Sequence, residues 1–187
     1  MFILRAIAAI GCLVALSGCA QTVISLPPYT PTGTEELSGG VNVQEFKYSP
    51  KKGTADNVIH TTTAGIFQLT EPVGSYITNA VRREFRQAGL SIKTGSRCTL
   101  DGEIKDLTID DLGFSASYIS DFRYVLMDQD KKALLDKDYK VKFDTTKFVV
   151  ADVLFANINK VIASNVDQLM TDEAFQKAVE TNCGRAL

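Results

Sequence analysis

The sequence predicts an α+β fold: a single mixed sheet, ordered strand, helix and three-strand meander, with helices packed on one face. Three observations carry this. Val73, Ile77, Ala80, Val81, Phe85 and Ala88 recur at steps of three and four, the spacing of one apolar helix stripe. Residues 99–143 alternate apolar and polar over successive runs, as half-buried strands do. The last third returns to helical spacing. A strand joined to its neighbour through a helix crossover lies parallel to it, whereas a meander supplies antiparallel partners. Helices over one sheet face are the simplest way to bury both patterns.

Composition sets the outer bounds. The chain has 187 residues, 45% apolar and 22% charged, which excludes disorder along its whole length and suits one domain with appendages. A formal net charge of −2 provides no basic field for nucleic acid. The one histidine excludes a zinc site built from two or three imidazoles.

The N-terminus reads as an address. Arg5 precedes a short apolar run from Ile7 to Leu16, too short to span a bilayer, so residues 1–18 are expected to be a signal peptide. Leu16-Ser17-Gly18-Cys19 resembles a bacterial lipobox, in which the leader is cut before the cysteine and its thiol is acylated. That resemblance implies a lipidated Cys19 and attachment to a membrane through the acylated N-terminus. Ala20 after it, by resemblance to enteric sorting, points to the outer membrane with the body in the periplasm; inner-membrane anchoring is the alternative. Acyl chains in number make such attachment stable where one alone is marginal.

Residues 19–40 are rich in proline, threonine and glycine and read as a flexible tether. Residues 41–187 form the single domain. Val41 to Phe46 begins the sheet. A polar stretch from Ser49 to Thr70 follows, with a short strand possible at Gly65 to Leu69; its length marks it as a contact surface or an idle loop. Lys51, Lys52, Asn57, His60 and Phe67 are its candidate partner residues. Thr70-Glu71-Pro72 opens the helix and Gly89 closes it. Arg82, Arg83 and Arg86 fall off the apolar stripe and read either as an anion-binding cluster or as a solvated face with Glu84 nearby.

In the meander, a phase slip near Lys105-Asp106 marks a bulge. Phe114, Ala116, Tyr118, Phe122, Tyr124 and Leu126 share one face, with Ser120 the polar member. Leu135, Tyr139, Val141 and Phe143 face the core, and the charged residues between them face water. A long helix covers about Val150 to Met170, and a short one follows, capped by Thr171 or Asp172. Cys12 leaves with the leader and Cys19 carries lipid. Cys98 and Cys183 then remain, either as a disulfide suited to an oxidising compartment or as two separate thiols.

The run from Val73 to Leu90 resembles a helix of small envelope lipoproteins that is likewise followed by a polar meander and a long C-terminal helix. With the lipobox, the chain resembles the YajG-type lipoproteins and the auxiliary lipoproteins of some envelope transport systems. The resemblance implies a non-enzymatic periplasmic module with no catalytic motif to transfer.

The residues themselves recommend no reaction. His60 stands alone among threonines, no G-x-S-x-G elbow exists, and Asp128-Gln129-Asp130-Lys131-Lys132 lacks the glycine and distal glutamate of a calcium loop. No catalytic residue, metal ligand or cofactor is assigned. The expected function is a lipid-anchored accessory module acting through protein–protein contacts with an envelope partner. The alternative is a carrier of a lipid or other small molecule, which requires a cavity.

Overall fold

A computed structural model describes residues 26–50, 53–62, 67–147 and 151–184. Among the described residues eight strands and three helices follow in chain order: β1 (Gly40–Val43), β2 (Lys47–Tyr48), β3 (Val58–Thr61), β4 (Phe67–Gln68), α1 (Val73–Gln87), β5 (Ser91–Ile92), β6 (Cys98–Asp110), β7 (Ser115–Met127), β8 (Ala133–Thr146), α2 (Ala151–Met170) and α3 (Glu173–Asn182). The fold is α+β, with one mixed sheet.

β6 organises the sheet. Along one edge it pairs in turn with β1 at Cys98–Leu100, with β2 at Glu103–Ile104 and with β3 at Thr108–Ile109, all parallel. The first strand of the sequence pattern is therefore one interrupted path beside β6. Part of the polar stretch 49–70 is sheet: β3 and β4 form an antiparallel hairpin at the outer edge. β5 extends the sheet beyond β1. Along its other edge β6 pairs antiparallel with β7, and β7 with β8. The register shifts between Ile104 and Asp106, at the slip visible in the sequence.

The helices share one face. α2 lies over β7 and β8, α1 over β1, β2 and β5, and α3 closes against β8. Tyr118, Phe122, Tyr124 and Leu126 of β7 are fully buried beneath them. Ser120 sits among these side chains because Asn165 of α2 reaches it: the Asn165 amide donates to Ser120 Oγ and to the Tyr139 carbonyl, and accepts from the Tyr124 hydroxyl at 2.9 Å. The opposite face of the meander is a ladder of charge, with Arg123 to Asp136, Lys105 to Asp138 and Lys140 to Asp121 paired at 2.6–2.9 Å.

Phe114 departs from the predicted core face. It is 96% exposed, because β7 starts only at Ser115 and Phe114 stands on the connecting tip beside Gly113, whose φ is +95°. Cys98 and Cys183 form a disulfide, with Cα atoms 5.2 Å apart, that ties the start of β6 to the end of α3.

Candidate functional site

The most heavily built polar feature is the approach of the N-terminal chain to the helices. Residues 26–40, predicted as a flexible tether, instead form a strap packed on α1 and α2. Tyr29 and Leu37 are buried, and the Leu37 N–H donates to the Ala88 carbonyl at 2.6 Å. The physical reason is Glu84. It lies on the inner side of α1, between Val81 and Phe85, and is only 1% exposed. A buried carboxylate must be satisfied by donors. The strap supplies them: the Tyr29 hydroxyl at 2.5 Å and the Thr32 N–H at 2.9 Å to Oε1, and the Gly33 N–H at 2.9 Å to Oε2. Burial, the hydrogen bond to Glu84 and that residue's charge raise the Tyr29 hydroxyl far above its ordinary pKa.

Further bonds fix the strap's course. The Arg83 guanidinium donates to the Tyr29 carbonyl at 3.0 Å, Gln87 to the Gly33 carbonyl at 2.6 Å and the Tyr76 hydroxyl to the Pro27 carbonyl at 3.1 Å. Asn159 of α2 closes a reciprocal pair with the backbone of Thr30. Tyr76 is itself pushed up to about 12, mainly by burial, with Glu71 adding and Arg83 opposing. Between strap and α2 lies an open-sided cleft of about 750 Å³, bordered by Pro27, Pro28, Thr32, Phe155, Ala156 and Lys160 among others.

Of the three arginines, the structure sets Arg82 apart from Arg83 and Arg86. Arg82 donates to the Val43 carbonyl at 2.8 Å and Arg83 to the strap, so each holds backbone. Arg86 is exposed and, with Arg83, borders a separate depression that also meets Glu71. The 49–70 surface also changes. Phe67 is buried in the core, since β4 turns it inward beside Ile59, so it is no contact residue. The Asn57 amide donates to the Leu69 carbonyl at 3.0 Å and braces the hairpin. His60 is half-buried in β3, opposite Thr108. Lys51 and Lys52 lie outside the described residues, as does Cys19.

Sequence reasoning missed the strap and its carboxylate. A signal was present: Glu84 falls three residues after Val81 and four before Ala88, within the apolar stripe, and Tyr29 is an aromatic residue inside a proline-rich segment. Among the described residues no group of three or more His, Cys, Asp and Glu is arranged to hold a metal ion, and no helix is long and apolar enough to cross a membrane.

No family model matches the chain, and no curated protein matches its sequence. Solved structures match in architecture. A Xanthomonas campestris protein, XCC0632 of family-model DUF330, superposes with a TM-score of 0.61 at 12% identity, over 80% of this chain and 92% of that one. Another, described as an uncharacterized protein, gives 0.54 at 9% identity, over 80% and 97%. The chain shares their fold. At these identities the likeness extends to fold alone.

Proposed function

We propose that this chain is a lipid-anchored module of the cell envelope that acts by binding protein, without catalysis. In this reading Cys19 is acylated, the anchor sits in the outer membrane and the body lies in the periplasm. The resemblance to YajG-type and transport-auxiliary lipoproteins belongs to the same reading. The observation that supports it is the strap. The chain from Leu26 onward, seven residues after Cys19, is built into the helical layer, and a buried carboxylate is committed to holding it there. Such an investment has a use in a protein that presents one surface at a set attitude to its membrane. The β3–β4 hairpin at the sheet edge is the surface we assign to the partner, because edge strands offer backbone groups for pairing. Asn57 and His60 lie there, and Lys51 and Lys52 precede it.

Two experiments test this. Cys19→Ala should move the protein from the detergent phase to the aqueous phase on membrane extraction; unchanged partition overturns the anchor. Photo-crosslinking in cells from positions 60 and 62 should capture one dominant envelope protein that position 142, on the charged face, does not capture. Equal capture from all three positions overturns the hairpin assignment.

The cleft beneath the strap supports a second reading, a carrier of a lipid or small molecule. Its volume falls within the 300–1,000 Å³ range of ligand sites, at about 750 Å³. It does not lie between sheet and helices, where the aromatic core fills the space. Native mass spectrometry showing a retained ligand, lost when Ala156 is replaced by Trp, would favour the carrier.

A further inference from the structure

We propose that the end of the domain formed by the β6–β7 tip and the start of α2 rests on the lipid surface, with Leu112 and Phe114 entering its interfacial layer. This rests on the lipid-anchor reading above and adds the orientation of the body. Among the described residues the large apolar side chains left exposed are Leu112 at 70%, Phe114 at 96% and Val153 at 41%. All three belong to this one end. Leu112 and Phe114 make the tip, and Val153 lies in the first turn of α2. The two share one end because α2 runs along β7 from that strand's start: Tyr118 bonds Asn157, and the Ser120 hydroxyl donates to the Val161 carbonyl one turn further on. Exposed apolar clusters of this kind mark contact surfaces.

The strap delivers the anchor to the same end. Gly33 approaches Met170 at the far end of α2, Thr30 bonds Asn159 in its first half, and Pro27 and Leu26 lie beside Tyr76 and Glu71 near the start of α1. The chain thus runs from the far end of α2 toward the ends at which α2 and α1 begin, and leaves the described residues at Leu26. Cys19 is seven residues upstream. Fully extended, seven residues reach at most about 25 Å. The opposite end of the meander, the turn at Asp128–Lys132, lies about 40 Å away along a 13-residue strand. An acylated Cys19 therefore holds the tip end near the bilayer. Charge does not favour another mode: Asp110, Asp111, Asp144 and Asp152 outnumber Lys142, Lys147 and Lys160 in the flanking segments, so contact is apolar and needs no anionic lipid.

The chain contains no tryptophan, so one introduced indole reports alone. Phe114→Trp and, as the distant control, Gln129→Trp are placed in the protein extracted from membranes and reconstituted into zwitterionic phosphatidylcholine vesicles with brominated acyl chains. The Phe114→Trp indole should lose on the order of half its emission to the bromines, as expected for a side chain about 5–10 Å into the interface, while the control loses little. Equal, weak quenching at both positions overturns the proposal and leaves the tip to a protein partner. The mass of the N-terminal peptide separately decides whether Cys19 is acylated. If it is not, the anchor reading fails, and the same pair of variants is compared after coupling Cys19 to a maleimide lipid. That comparison decides the orientation by the same criterion.

Discussion

The Glu84 carboxylate is the residue on which the strap depends. Glu84→Ala leaves the Tyr29 hydroxyl and two backbone N–H groups without their acceptor. The expected loss is about 3 kcal/mol, as each unmet buried donor costs about 1–3 kcal/mol before partial rehydration. For a chain of this size that lowers the melting midpoint by roughly 6–12 °C, measurable by calorimetry. Glu84→Gln keeps one acceptor oxygen and should recover part of the loss; no recovery would show that packing, not hydrogen bonding, dominates. The buried tyrosines add a pH dependence. Tyr48 and Tyr76 are each pushed up to about 12, in both cases chiefly by burial. Their folded values lie above the unfolded value of about 10. Their contribution is therefore fully present below pH 10 and is lost as pH rises through 12. Denaturant midpoints should fall between pH 10 and 12, and Tyr76→Phe should flatten that fall.

Two elements meet at Phe46. A Cβ added at Gly102 of β6 would stand 2.3 Å from the Phe46 ring, and one added at Gly74 of α1 would stand 2.4 Å from its carbonyl. Both glycines let the chain between β1 and β2 pass close to its neighbours. Gly102→Ala should cost about 1–3 kcal/mol by overpacking. Phe46→Leu in the same chain should relieve much of that cost, a non-additivity that a double-mutant cycle reads directly. Element type and order were legible because the patterns are strong: the α1 stripe, the β6 slip and the β7 alternation all appear where the sequence places them. The hairpin at β3–β4 was half legible: the short strand expected at Gly65 to Leu69 contains β4, whereas the four residues of β3 carry too little periodicity to be seen. Phe114 was misplaced because alternation continues past the point where pairing stops. The strap was illegible for a different reason. It has no period of its own, and what orders it is a carboxylate 52 residues away from Thr32.

At the scale of the whole molecule, the disulfide closes the fold. It joins residues 85 apart, for which the chain-entropy model gives roughly 4 kcal/mol. Reduction should raise the intact mass by two hydrogens, and Cys98→Ser with Cys183→Ser should lower the melting midpoint by roughly 8–16 °C. An unchanged mass would show that the thiols are unpaired in the purified protein. The Gly40 N–H also donates to the Cys183 carbonyl at 2.7 Å, so β1, the start of β6 and the end of α3 are fastened at one place.

That fastening has a consequence for biogenesis. In the lipid-anchored reading proposed above, a chain synthesised and exported from its N-terminus exposes Cys98 well before Cys183. At about 5–20 residues per second the 85-residue gap takes roughly 4–17 s. Through that interval Cys98 is a thiol whose partner has not yet been made. In that reading the other cysteine of the mature chain already outside is Cys19. Lipid attachment to the Cys19 thiol would then remove it from exchange, so that the proposed anchor also leaves Cys98 with a single partner to wait for.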